Sequence, residues 1–387
     1  MVSIEQRKKD VLELVKKLDI SPSMFESAKE RYINLGKYLQ KKDSSYNIYP
    51  QGSFALGTVT RPINKPNSFD LDFIVENMKT KNNTTPKEVK LEIKNLLSDN
   101  EIYKSRLDPT EYDKCWTLIY NDEFSMDIVP SIPSNIYNYF DTDIEITNKV
   151  GQTYNWYNSN PKSYIEWFNN INVPFKTYSR EIQRTQLFKE SNVYSSIEEI
   201  PEELIRSSLQ RTIQIIKRHR DIYYDRRKKT HKKPTSAILT TLSAQIAQTE
   251  INKSIGIFDL LTKIVETIEI NTKKRSLTYE MFDSLYGDKY NQIQYTNGLW
   301  YLPNPTNHSD NLVDTWNSDY EIVSIFKDWL KQLKIDFGNN LNESDEIFFD
   351  TLNNSFGGEF VKHNINEKIY RTTFPSELVS TPKPWRK

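Results

Sequence analysis

The chain holds a single cysteine, Cys115, among 387 residues. An internal disulfide is therefore excluded, and a reducing compartment fits. Charge of neither sign is in excess, since Lys+Arg and Asp+Glu both total 52. The molecule has no overall field to attract nucleic acid or an anionic membrane, so any polyanion site must be local. No run approaches the ~18 apolar residues of a membrane span. The start, Met1-Val2-Ser3-Ile4-Glu5-Gln6-Arg7-Lys8-Lys9-Asp10, has no apolar signal core. A soluble, cytoplasmic protein without a membrane or nucleic-acid partner is expected. The four histidines, His219, His231, His308 and His363, lack the spacing of metal ligands, and no internal repeat is visible.

What the chain does have is concentrated in residues 50–75. Pro50-Gln51-Gly52-Ser53-Phe54 reads as strand end and tight turn, and Phe69-Asp70-Leu71-Asp72-Phe73-Ile74-Val75 as a strand. By the period of two, Phe69, Leu71, Phe73 and Val75 share one face, and Asp70, Asp72 and Ile74 the other. Amphipathic helices precede it, over 4–18 (Val11, Leu14, Val15, Leu18) and from the Ser21-Pro22 cap to about Gln40. Thr85-Pro86-Lys87-Glu88 is a capping box that opens a helix to Leu97. Strands follow near 112–120 and 124–129, joined by a turn at Asn121-Asp122-Glu123 and ended by Pro130 and Pro133. Residues 134–160 read as irregular, and Asn160-Pro161 opens a short helix. The polar stretch 172–200 marks a soft boundary. Beyond it the pattern is helical, over 201–225, 235–249, 254–270, 318–335 and 343–354, with a Pro/Asn-rich loop at 303–311 and a loosely held tail after Phe374. The fold class is α+β, with a mixed first half and a helical second half packed against it. A ligand site is expected where the halves meet.

Asp70 and Asp72 stand roughly 6.6 Å apart along the strand, on one face. Side chains from there can converge on two divalent ions about 3.5–4 Å apart. Asp127 lies on the later strand, opposite the apolar row of Phe124, Met126 and Ile128. Three such acids repel unless cations join them, and Mg²⁺ or Mn²⁺ suits an all-oxygen site that also takes phosphates. The competing reading is solvated acids on exposed strand faces. The Gly52-Ser53 turn offers backbone N–H groups and a hydroxyl to a phosphate. Ser236 opens a helix, either as a phosphate contact or as a plain N-terminal cap. Lys217 follows Ile213 by four residues, at the edge of a buried face or as an ordinary surface lysine. The basic run from Arg226 to Lys233 reads as charge at a helix C-terminus and a solvated loop, in preference to a docking surface. Trp156, Trp167, Trp300 and Trp316 read as core.

The ordered set Gln51-Gly52-Ser53-Phe54, Phe69-Asp70-Leu71-Asp72 and Met126-Asp127-Ile128-Val129-Pro130 resembles the polymerase-β-like nucleotidyltransferases. Lys217-Arg218-His219-Arg220-Asp221, Pro234-Thr235-Ser236, and Asn304-Pro305 through Asn311-Leu312-Val313-Asp314-Thr315-Trp316 narrow the resemblance to the bacterial cGAS/DncV-like nucleotidyltransferases. It implies a catalytic domain over 1–190, with a mixed sheet and N-terminal helices, and a helical, OAS-like substrate-binding domain over 191–387. It also implies a synthase that joins nucleoside triphosphates into a cyclic di- or trinucleotide second messenger for a downstream effector in anti-phage (CBASS) signalling. By motif, Asp70, Asp72 and Asp127 would be catalytic and hold two Mg²⁺ or Mn²⁺ ions. Gly52 and Ser53 would hold the donor triphosphate, Gln51 would border the nucleotide, and Lys217 and Ser236 would add phosphate contacts. No Cys/His cluster matches the zinc insert of the animal relatives, so DNA sensing of that kind is not expected. Family members conjugated through a C-terminal glycine differ from this sequence, which closes on Pro384-Trp385-Arg386-Lys387. Other readings of the same metal site are transfer to a protein or tRNA acceptor, and an inactive nucleotide-sensing scaffold.

Overall fold

The computed structural model describes residues 1–63, 69–120, 124–134, 142–190, 205–287 and 289–370, with backbone alone for 181–190. The expected turn at 121–123 and the tail after Phe374 lie outside these residues. Helices α1 (Ile4–Lys17) and α2 (Pro22–Lys42) are opened by Ser3 and Ser21, whose side chains accept from Gln6 N and Met24 N. Strand β1 (Tyr46–Gln51), the short helix α3 (Gly52–Leu56) and strand β2 (Phe69–Asn77) follow. Helix α4 (Pro86–Ser98) starts from the capping box of Thr85 and Glu88, and α5 (Glu101–Lys104) adds one turn. Next come β3 (Trp116–Tyr120), β4 (Phe124–Pro133), β5 (Ile144–Val150), β6 (Thr153–Ser159) and the long helix α6 (Pro161–Glu190).

These strands form one mixed sheet in the order β1-β2-β4-β5-β6, with β3 on β4. Strand β2 runs parallel to β4 and antiparallel to β1. One sheet face carries Phe69, Leu71, Phe73, Trp116, Leu118, Met126 and Ile128, all fully buried against α2 and α4. The opposite face is divided. At one end Ile74 packs with Val129, Ile144 and Ile146, and Glu76 meets Lys162 of α6 at 3.2 Å. At the other end Asp70 is exposed and Asp72 half-buried.

The remainder is mainly helical: α7 (Ser208–Arg226), α8 (Ser236–Thr249), α9 (Ile257–Asn271), α10 (Tyr279–Tyr286), α11 (Thr315–Ser318), α12 (Tyr320–Lys334), α13 (Asp345–Phe356) and α14 (Gly358–Asn364). Between α10 and α11 lie two small antiparallel pairs, Gln294–Thr296 with Leu299–Tyr301 and Pro303–Asn304 with Asn307–Asn311, so the stretch 303–311 read as a loop is in part paired strand. The helical core gathers Ile213, Ile216, Leu242, Leu260, Trp316, Phe326, Trp329 and Leu352. Helix α1 joins this core through Val11, Leu14, Val15 and Leu18, and its buried Arg7 pairs with Asp345 at 2.6 Å. No helix among the described residues is long and apolar enough to cross a membrane.

Three further expectations about the elements need correction. The part of 134–160 read as irregular contains the β5–β6 hairpin, turned at Gly151-Gln152 and paired from Val150↔Thr153 to Ile144↔Ser159. The helix opened by Asn160-Pro161 is not short but runs through Pro174 to Glu190, across the stretch read as a boundary. Pro130 does not end β4. It sits where β3 has finished (Trp116↔Ile128) and β5 has not begun (Ser131↔Ile146), so that side asks no ladder bond of it. Of the tryptophans read as core, Trp300 and Trp316 are buried, whereas Trp156 and Trp167 are only half-buried.

The halves are joined along α7. Gln210 Nε2 donates to Leu56 O at 2.8 Å, Gln214 Nε2 to Val59 O at 2.7 Å, Lys217 Nζ to Thr58 O at 2.8 Å, and Arg218 NH1 to Arg61 O at 2.9 Å. Gly57 turns this loop at φ +64°, and a Cβ there would lie 2.4 Å from Gln210 Nε2 and 2.7 Å from Arg206 NH1. Gly57→Ala should therefore destabilise the protein by about 2–3 kcal/mol, combining left-handed strain with a displaced buried hydrogen bond. Denaturant unfolding measures this, and a loss below about 0.5 kcal/mol would show that the contact does not hold the loop.

Candidate active site

Register brings the acids together. Asp72 pairs directly with Asp127 across the parallel strands β2 and β4, so two carboxylates share one face about 4.8 Å apart at the backbone. Asp70 pairs with Ser125, whose hydroxyl donates to Asp70 Oδ1 at 2.7 Å. Thr117, paired with Asp127 from the other side, donates its hydroxyl to Asp127 Oδ1 at 2.6 Å. Sequence reasoning finds the three acids but not these hydroxyl partners. Ser125 shares the face of Asp127 by alternation, but its partner becomes visible only once the strands are in register.

The electrostatics reflect the crowding. Burial pushes the Asp72 carboxyl up to about 7, the charges of Asp127 and Asp70 push the same way, and Lys217 opposes them. Burial also raises Asp127, with the Thr117 hydroxyl opposing and Asp70 adding to the rise. Among the described residues, no three His, Cys, Asp or Glu side chains are gathered as a closed ligand set. Asp70 and Asp127 are each turned to a hydroxyl instead. The donor set still fits a hard divalent cation, because three carboxylates share one sheet face and burial with neighbouring acids raises Asp72 and Asp127.

The turn adjoins the acids by contact. Gln51 pairs with Asp72, and Gly52 follows at φ +61°. A Cβ on Gly52 would lie 2.5 Å from Asp72 Oδ2, so only glycine fits between the turn and the carboxylate. Ser53 is carried on α3, whose exit is tied by Thr58 N donating to Ser53 O at 2.9 Å.

Lys217 approaches from α7 and is buried, with 4 % of its surface exposed, deeper than the edge position read from its spacing. Its ammonium donates to Thr58 O. Burial lowers its pKa to about 7, helped by Arg220 and opposed by Asp221 and Asp72. Ser236 is the first residue of α8 but not its cap. Thr235 takes that role, accepting from Ile238 N at 3.4 Å. The Ser236 hydroxyl instead accepts from Arg220 NH1 at 3.2 Å.

Gln51, Gly52, Ser53, Lys217 and Ser236 all line one cavity of about 240 Å³, together with Asn160, Tyr164, Thr240 and Asn304. The acids do not line it but adjoin it through Gly52. Two larger clefts, of about 550 and 600 Å³, lie beside α2 and α6 and around α10, and none of the three acids lines either. Three cations of the basic run are paired: Lys229 with Glu321, Lys232 with Asp319 and Glu321, and Lys233 with Asp221.

Comparison with known proteins gives a consistent picture. Residues 6–172 match the Second Messenger Oligonucleotide or Dinucleotide Synthetase domain. A c-di-GMP synthase of Roseivirga ehrenbergii is 32% identical over 289 residues, covering 74% of this chain. The chain spans 65% of the length of that curated relative. The fold is similar to the CD-NTase CdnG of Bradyrhizobium diazoefficiens solved with GTP (TM-score 0.68, 19% identity, 93% of this chain and 98% of that one). It is also similar to CdnC of E. coli MS115-1 solved with HORMA-deltaN (TM-score 0.59, 12% identity, 91% and 97%).

The shifted groups predict an unusual pH response. The Asp72 carboxyl keeps its proton to about pH 7 when folded but loses it near pH 4 when unfolded. Between those values the folded chain binds more protons, so its contribution to stability falls as pH rises from about 4 to about 7. Lys217 acts oppositely over its own window: the unfolded chain binds more protons from about pH 7 to about 10.4, so stability rises there. Asp72→Asn should therefore stabilise the protein in chelator at pH 8, by about 2 kcal/mol, and change little at pH 4. Thermal melts at the two pH values check this, and destabilisation at pH 8 would contradict the crowding of the acids.

Proposed function

We propose that the chain is a cGAS/DncV-like nucleotidyltransferase that joins nucleoside triphosphates into a cyclic di- or trinucleotide second messenger, releasing pyrophosphate. One observation carries the reading. The turn, the buried lysine and the helix-opening serine line a single cavity, and that cavity meets the three-acid face at Gly52.

In this reading Gly52 and Ser53 hold the donor's phosphates from one wall, and Lys217 and Ser236 from the other. Gln51 borders the nucleotide. The acceptor hydroxyl comes over the acid face, its oxygen forms the new bond to the α-phosphorus, and the bond to the bridging oxygen breaks as pyrophosphate leaves. Asp127 accepts the hydroxyl proton. The family is metal-dependent, and Asp70, Asp72 and Asp127 would hold two Mg²⁺ or Mn²⁺ ions. Their chemistry there is to lower the acceptor's pKa and neutralise charge on the leaving group. The sheet carries the acids, α7 brings Lys217 and α8 brings Ser236 to the cavity beside them, and in this reading the catalytic and helical units divide near residue 190. The product would act in the cytoplasm on a downstream effector in anti-phage signalling. The relatives named above, a c-di-GMP synthase and a GTP-bound CdnG, make guanine nucleotides the first substrates to try.

Incubation with labelled ATP, GTP, CTP and UTP in Mg²⁺ should yield a small phosphatase-resistant product, read by mass spectrometry and nuclease digestion. Chelator should abolish it, and Asp127→Asn should reduce it by about 10³-fold. Label entering protein or tRNA instead, or undiminished synthesis by folded Asp127→Asn, would overturn the assignment.

A further inference from the structure

Arg220 lies three residues after Lys217 on α7 and is buried, with 4 % of its surface exposed. Its bonds hold it in place on several sides. Nε and NH2 meet Asp221 Oδ1 at 2.9 and 2.8 Å, and NH1 donates to Pro234 O at 3.0 Å and Ser236 Oγ at 3.2 Å. Asp221 is shared with Lys233 at 3.1 Å. The guanidinium is thus fixed under the start of α8, behind the cavity wall that Lys217 and Ser236 form.

The direction of the Ser236 bond follows from chemistry. A guanidinium has no acceptor, so Arg220 donates and the Ser236 oxygen accepts. A hydroxyl has one proton, and an oxygen whose lone pair is taken must aim that proton elsewhere. Thr235 already caps the helix, so Ser236 is not needed by the backbone. Among the described residues Ser236 Oγ has no hydrogen-bond acceptor, and its residue lines the cavity beside Gly52, Ser53 and Lys217. The arrangement leaves the hydroxyl as a donor facing the cavity, backed by a fixed positive charge.

We propose that Arg220 is a positioning residue for the donor triphosphate: it holds Ser236 Oγ as an acceptor, so that the Ser236 proton is donated to an anionic oxygen of the bound phosphate chain. This rests on reading the cavity as the triphosphate site. Arg220 does not itself touch the phosphate, and its effect passes through the hydroxyl. A purely structural role, tying Pro234 to α7, would instead be indifferent to whether residue 236 carries a hydroxyl.

A double-mutant cycle separates the two. Binding of inorganic tripolyphosphate in Mg²⁺ is measured by calorimetry on the full chain, for the parent, Ser236→Ala, Arg220→Gln, Arg220→Lys and the Ser236→Ala/Arg220→Gln pair. Ser236→Ala and Arg220→Gln should each weaken binding about tenfold, and the pair should be no weaker than either alone. Arg220→Lys, which keeps a charged donor, should recover part of the affinity in the serine background and none in the alanine background. Losses that multiply to about hundredfold in the pair, or an Arg220→Gln protein that binds as the parent does, would overturn the positioning role. If Arg220→Gln does not fold, the cycle of Arg220→Lys with Ser236→Ala separates the two roles by the same comparison. A parent protein that binds no tripolyphosphate, and no nucleoside triphosphate, would instead overturn the triphosphate reading itself.

Discussion

The structure depends on one row of buried hydrogen bonds, from α7 to the carbonyls of residues 56–61. Gln210, Gln214, Lys217 and Arg218 occupy positions i, i+4, i+7 and i+8, one face of a helix. Each reaches a different carbonyl of the loop that leaves α3. Buried carbonyls must find donors, and a lost partner costs about 1–3 kcal/mol. The loop therefore cannot shift relative to the helix without losing several bonds together. Because α3 opens with Gly52 and Ser53, fixing its exit to α7 also fixes the turn against the helical half. Lys217 belongs to this row and to the cavity at once, so the same side chain that secures the fold presents its charge to the site.

The candidate site is the place where that construction is least comfortable electrostatically. Three carboxylates crowd one end of a sheet face, and Asp72 is pushed up to about 7. On the facing wall burial and Arg220 push Lys217 down to about 7. Asp72 and Lys217 partly relieve each other, each appearing among the influences that oppose the other's shift. The Lys217 ammonium spends its bond on a carbonyl rather than on that carboxylate. A fold tolerates such an arrangement when its surroundings over-determine it. Here the over-determination is the fully buried row of Phe69, Leu71 and Phe73 under the acids and the α7 bonds beside the lysine.

Local chemistry is what the sequence can disclose. The alternation through Phe69–Val75 puts Asp70 and Asp72 on one face, and Ser21-Pro22 and Thr85-Pro86 mark helix starts that the structure has at those residues. The β5–β6 hairpin is hidden because it is an edge pair rich in Asn and Tyr, with only Ile144 and Ile146 as an apolar alternation. Helix α6 is hidden because Pro174 and a polar surface break its pattern, although tertiary packing of Phe168, Ile171 and Phe175 overrides both. What cannot be read at all is register. The pairings Asp72↔Asp127, Asp70↔Ser125 and Asp127↔Thr117 are properties of three strands together. The same holds for Arg220 and Ser236, which are neighbours only because α7 and α8 meet.

The zero net charge now has a structural complement. A protein without a long-range field cannot steer a polyanion from a distance, so recognition must be made at contact. Lys229, Lys232 and Lys233, after α7, are paired with Glu321, Asp319 and Asp221, which offsets much of their field. The cations beside the cavity differ in kind: Lys217 and Arg220 are buried and held by carbonyls and one carboxylate. Burial weakens a charge's stability but strengthens its reach inside a low-dielectric wall. Selectivity for a phosphate chain over other anions would then follow from geometry, because the donors are a glycine turn, a fixed ammonium and an aimed hydroxyl on opposite walls of a narrow cavity.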